Sequence, residues 1–117
     1  MAQALVAHLA ALKVEMDDGT TVPYCAGVWA IYGHGNVAGL GEALAQHRAA
    51  LPVHRAHNEQ AMAHAAIAYA KANFRQRIMA VTTSIGPGAT TFTRTPRRAV
   101  SAASTRLAAI SPALAAA

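Results

Sequence analysis

Acid is scarce in this chain of 117 residues, with five Asp and Glu against ten Lys and Arg, and aromatics amount to only 5%. Cysteine occurs once, at Cys25, which excludes an internal disulfide and reads as a small buried thiol in a reducing cytoplasm. No apolar run approaches the roughly 18 residues of a membrane span, and the N-terminus lacks a basic start followed by a long apolar stretch. The expectation is a soluble, unexported, cytoplasmic protein with no membrane partner. Charged residues make up 13% against 54% apolar, which excludes a wholly disordered chain. The length bounds the protein to one domain with a modest core.

The formal net charge of +5 invites a nucleic-acid reading. Its distribution argues against one. Residues 1 to 88 are nearly balanced, whereas residues 89 to 117 carry Arg94, Arg97, Arg98 and Arg106 and no acid. That stretch contains no Gly, amide or Lys either, and it shows poor apolar periodicity. It has no aromatic interleaving and no reading element, so a solvated tail is expected and a nucleic-acid partner is not.

Leu5, Leu9, Leu12 and Met16 recur at helical spacing, which predicts an amphipathic helix over residues 2 to 16. Asp17, Asp18, Gly19 and Pro23 then break the pattern into a loop. The apolar run from Ala26 to Tyr32 predicts a strand buried on both faces, ending at Gly33. Val37, Leu40 and Leu44 predict a helix over residues 37 to 47, in which Gly39 and Gly41 allow close contact with the sheet. Pro52 to Ala56 is a weaker strand. Asn58 caps an alanine-rich helix running to Phe74, and Ile78 to Thr83 is a strand that stops at Gly86-Pro87-Gly88.

Alternating strands and helices with short connections predict an α/β fold, a three-layer sandwich of about three parallel strands covered by helices on both faces. Ligands bind such sheets at the carboxyl ends of the strands, so the loops at Gly33–Asn36, His57–Glu59 and Thr83–Gly88 should converge. Three strands alone leave an open edge and an apolar face, which predicts association or poor solubility.

Three local readings compete. Gly33, Gly35 and Gly39 after a strand resemble a dinucleotide loop, with Glu59 where a ribose-binding acid belongs, although the spacing departs from G-x-G-x-x-G. This supports a nicotinamide-dinucleotide-binding Rossmann fragment as an alternative. His54, His57 and His64 raise the question of a metal, but no cysteine or carboxylate completes a tetrahedral set and no metal ligands are assigned. A noncatalytic interaction protein with a basic tail is the third.

Three segments taken together are more specific: GVWAIYGHGNVAGLGEAL, HRAHNEQAMAHAAIAYAKA and AVTTSIGPGAT. Their order and spacing resemble the N-terminal pyrimidine-binding domain of thiamine-diphosphate enzymes of the acetolactate synthase and pyruvate decarboxylase group. Within that group, Gly33-His34-Gly35-Asn36, Asn58-Glu59-Gln60 and the extra Ile85 before Gly86-Pro87-Gly88 look like the trihydroxycyclohexanedione acylhydrolases of myo-inositol degradation. The resemblance covers about residues 1 to 90.

The resemblance implies that Glu59 is catalytic and binds the cofactor, hydrogen-bonding a pyrimidine nitrogen of thiamine diphosphate and favouring its imino tautomer. It implies that Gly86, Pro87 and Gly88 shape the cofactor cleft through backbone, and that His34 and Asn36 face a cyclic dione substrate. Magnesium and the diphosphate belong in the family to a second domain with a Gly-Asp-Gly motif, which these 117 residues do not contain. The family's site forms between subunits of a homo-oligomer, so the chain is expected to supply half a site and to be inactive alone. The domain reading is a partial pyrimidine-binding domain over residues 1 to 90 and a divergent, Ala/Arg/Ser/Thr-rich tail over 91 to 117. The coincident loss of resemblance and change of composition there raises a truncated or frame-shifted gene product.

Overall fold

A computed structural model describes residues 1–34, 36–84 and 86–93, with side chains described as far as Thr90. The expected tail therefore lies, apart from residues 91–93, outside the described residues, as do Gly35 and Ile85.

The alanine-rich start forms helix α1, Ala2–Ala11, which ends sooner than its apolar spacing predicts. Leu12 adopts an extended backbone with φ −64° and ψ 127°, and its amide still donates to the His8 carbonyl. Lys13–Glu15 then forms β1, paired antiparallel with β2, Thr21–Pro23. The expected helix to residue 16 and the following loop are thus a shorter helix and a hairpin. The reason is local. Lys13-Val14-Glu15 alternates polar and apolar, and Gly19 takes the φ of +81° that closes the turn. The Asp18 carboxylate accepts from the Thr20 hydroxyl at 2.6 Å and the Thr20 amide at 2.9 Å, and these bonds hold its pKa below the usual value. The buried residue of α1 is Val6, whereas Leu5 is 53% exposed.

Strand β3, Cys25–Ala30, lies at the centre of a parallel sheet ordered β4-β3-β5. β4 is Val53–His54 and β5 is Ile78–Thr82. The expected α/β architecture with three parallel strands is present. Between β3 and β4 the chain makes a π-helical turn, Val37–Gly41, that continues into α2, Glu42–Gln46. Between β4 and β5 runs α3, Glu59–Ala72, with the side chain of Asn58 accepting from the Ala61 amide at 2.7 Å as its N-cap. α4, Pro87–Thr93, follows β5 and packs on α3.

Successive strand side chains point to opposite faces, so from Val28 onward the two layers separate by parity, while a register shift between Cys25 and Val28 brings Cys25 into the same cluster as Val28 and Ala30. Val28 and Ala30 pack with Val53 and Ala80 against Val6, Ala43, Leu44 and Leu51, on the face covered by α1 and α2. On the other face α3 packs on β5 and β3, burying Met62, Ala63, Ala66 and Ala70. There Trp29 meets its register partner His54, ring centroids 5.2 Å apart. The close helix-to-sheet contact expected at Gly39 and Gly41 is not made, since a Cβ at either would stand at ordinary van der Waals distance. A Cβ on Gly39 would meet Ala2 at 3.8 Å, and one on Gly41 would meet the Tyr32 ring at 3.7 Å, so the neighbours are α1 and a loop tyrosine.

Cys25 is buried, its sulfur 3.4 Å from the Gly27 carbonyl. Burial pushes its thiol pKa up, partly offset by hydrogen bonds to the backbone at Gly27 and Ala80. Folding therefore opposes ionisation: the stabilisation is complete below the ordinary thiol range and declines as pH rises through it. Alkylation by iodoacetamide is expected to be at least about tenfold slower in native buffer than in urea at the same pH. Equal rates would mean the thiol is not enclosed.

Candidate functional site

The parallel order places three loops at one end of the sheet, following β3, β4 and β5. Contacts between them define the site. In the loop after β3, the Gly33 amide donates to Asn36 Oδ1 at 2.7 Å, and Asn36 Nδ2 donates across to the Thr83 carbonyl at 3.4 Å. The Asn36 carbonyl then accepts from Leu40 and Gly41 at 2.9 and 3.1 Å, the longer-range bond that opens the π-helical turn. Asn36 thus ties its own loop to the end of β5 and starts the helix. His34, one of its neighbours in the loop, is exposed.

At two crossings a glycine leaves room for a side chain from another element. A Cβ on Gly33 would overlap the Ser84 hydroxyl and stand 3.3 Å from Ser84 Cβ, so the loops after β3 and β5 touch backbone to side chain. A Cβ on Gly88 would overlap the Glu59 carboxylate, standing 2.5 Å from its Cδ. The loop after β5 therefore meets both of the others, and the expected convergence is present at Gly33 with Ser84 and at Glu59 with Gly88.

Glu59 is the first residue of α3, half-buried and fixed by the Asn58 cap. Gly86 adopts φ +73°, and its carbonyl accepts from both the amide and the hydroxyl of Thr90 at 3.1 Å. Pro87 opens α4 at a position where its missing N–H costs little. This turn brings Gly88 back over the start of α3. Among the described residues no group of three or more His, Cys, Asp or Glu is placed to hold a metal ion, and no helix is long and apolar enough to cross a membrane. His57 and His64 are both exposed.

Two features at this end of the sheet were not singled out from sequence. Ser84 sits at the crossing with Gly33. Arg55 places its guanidinium 5.6 Å from the Tyr32 ring centroid, a cation–π pair at the mouth of the site. The signal for the second was available: Arg55 and Tyr32 follow the ends of the adjacent strands β4 and β3, so parallel register makes them neighbours.

The chain is similar over most of its length to proteins named 3D-(3,5/4)-trihydroxycyclohexane-1,2-dione hydrolase. That of Bacillus velezensis is 48% identical over 92 residues, 79% of this chain and 14% of the relative. That of Listeria innocua is 51% identical over 87 residues, 74% of this chain and 14% of the relative. One from Listeria monocytogenes is 46% identical over 107 residues, 92% of this chain and 16% of the relative. The last match covers more than residues 1 to 90 can supply, so similarity runs past the segment that carries the motifs. The chain spans about one seventh of the length of the relatives it matches. No family model matches the chain, and no solved structure does.

Proposed function

We propose that this chain, which belongs with the 3D-(3,5/4)-trihydroxycyclohexane-1,2-dione hydrolases as a homologous segment of them, binds the aminopyrimidine end of thiamine diphosphate at the carboxyl end of its sheet. The observation that carries this reading is the half-buried carboxylate of Glu59, placed at the mouth of a parallel sheet against a glycine that leaves it room. A cradle of backbone and one acid fits a flat heteroaromatic ring, which offers faces to the backbone and a ring nitrogen to the acid.

When bound, thiamine diphosphate supplies a nucleophilic carbon for attack on a carbonyl, and the cofactor carries that chemistry. Glu59 holds a proton between its carboxyl oxygen and a pyrimidine ring nitrogen, while Gly86, Pro87 and Gly88 line the cleft with backbone. Asn36 uses one lone pair and one N–H in holding the loops and keeps the others, enough to bind a hydroxyl or carbonyl of a cyclic dione. His34, exposed beside it, is the second substrate contact. Magnesium and the diphosphate would be held by residues other than these 117, completing an oligomeric, cytoplasmic enzyme. In this reading the 117 residues alone do not open the dione by carbon–carbon hydrolysis.

Calorimetric titration of the full chain tests the proposal. Thiamine diphosphate is expected to bind saturably, with the same affinity with and without magnesium, and plain thiamine should compete about equally. Saturable binding of a nicotinamide dinucleotide with no heat from thiamine diphosphate would overturn it.

A further inference from the structure

We propose that Gly88 is the positioning residue for Glu59: its bare Cα is the surface on which the carboxylate rests, so the turn after β5 decides where that acid lies. The inference rests on the reading of Glu59 given above and deepens it.

Both sides of this contact are set by backbone. The Asn58 cap fixes the first turn of α3, with Ala61 N–H donating at 2.7 Å. The left-handed Gly86, φ +73°, turns the chain so that α4 starts over that helix. A Cβ at residue 88 would overlap the carboxylate, at 2.5 Å from Cδ and 3.1 Å from Oε2. Gly88 itself is not among the residues of positive φ. It lies inside α4, where alanine is the better helix former. Glycine at this position therefore answers to a contact and not to a backbone conformation. A methyl group there has one place to go, and Glu59 occupies it, so the carboxylate must leave its seat.

A double-mutant cycle in the full chain tests the contact, with urea unfolding followed by the fluorescence of Trp29, the chain's only tryptophan. Gly88→Ala is expected to raise the folding equilibrium constant by the helix preference of alanine in the Glu59→Ala background, and by about two- to fivefold less when Glu59 is present and must be displaced. Equal changes in the two backgrounds would overturn the proposal. Positioning is read without cofactor from NMR: a nuclear Overhauser contact between Gly88 Hα and Glu59 Hγ in the wild type, and a changed Glu59 side-chain rotamer in Gly88→Ala. An unchanged rotamer would also overturn it. Thiamine diphosphate affinity, expected to fall in Gly88→Ala, is a separate arm. If the wild type binds none, the proposed function fails, while the cycle and the rotamer still judge the seat.

Discussion

Replacing Glu59 by glutamine is expected to weaken thiamine diphosphate binding by roughly 10- to 100-fold, the range set by a hydrogen bond to a charged group. Glutamine keeps the size of the side chain and can still occupy the space against Gly88, so the seat is preserved. What is lost is the carboxyl group and, with it, the proposed means of holding a proton at a ring nitrogen. The stability cost is small, because an acid in the first turn of a helix contributes less than about 1 kcal/mol through the helix dipole. The contrast is therefore a large change in affinity with a nearly unchanged urea midpoint. Glu42→Gln is the control: Glu42 is also a first-turn acid, at the start of α2, but it is exposed. It should leave affinity untouched. Calorimetry on the three chains decides the matter, and wild-type affinity in Glu59→Gln would mean that the acid only decorates a helix start.

The sequence put that residue at the site's end of the sheet for a physical reason, whereas its catalytic role was implied only by the family resemblance. A strand, a short connection and a capped helix fix the end of the sheet on which the connection must lie, and an apolar run ending at Gly33, an alanine-rich stretch behind Asn58 and a β-branched run before Gly86 identify β3, α3 and β5. Asn58 was legible as a cap because only a few side chains can accept from the first free amides of a helix. The start of the chain was less legible. Ala-rich propensity continues smoothly through residue 16, and nothing local opposes it except a three-residue alternation at Lys13-Val14-Glu15, too short to register as a strand before its partner at Thr21–Pro23 is known. The bracing of the site was hidden for a related reason. That Ser84 meets Gly33, and Glu59 meets Gly88, depends on which strand lies beside which, and the order β4-β3-β5 is not the order of the chain. The motif glycines were readable as loop residues, but the side chains that fill the room they leave were not.

The same dependence of site on sheet predicts the largest effect of any single substitution considered for this chain, at Gly27. This residue is buried in β3, and a Cβ there would stand 2.8 Å from the carbonyl oxygen of Pro52, 3.2 Å from Met79 Cε and 3.3 Å from His54 Nε2. The methionine can move. The Pro52 oxygen cannot, because it accepts from the Val28 amide at 2.8 Å and anchors a strand of only two residues. Gly27→Ala must therefore push β4 away from β3 or strain β3 itself. Overpacking costs about 1 to 3 kcal/mol and the disturbed hydrogen bond about 1 more. A domain of this size has only about 5 to 15 kcal/mol to lose, so a fall in melting temperature on the order of 10 °C follows. Trp29 reports the change directly, since its ring lies on His54 of the displaced strand. β4 also leads into α3, so a shift of β4 moves Glu59 relative to Gly88, and thiamine diphosphate affinity should fall even where the variant remains folded. A Gly27→Ala chain with the wild-type urea midpoint and wild-type affinity would mean that β4 is too loosely held to position the acid, and the site proposed here would lose its frame.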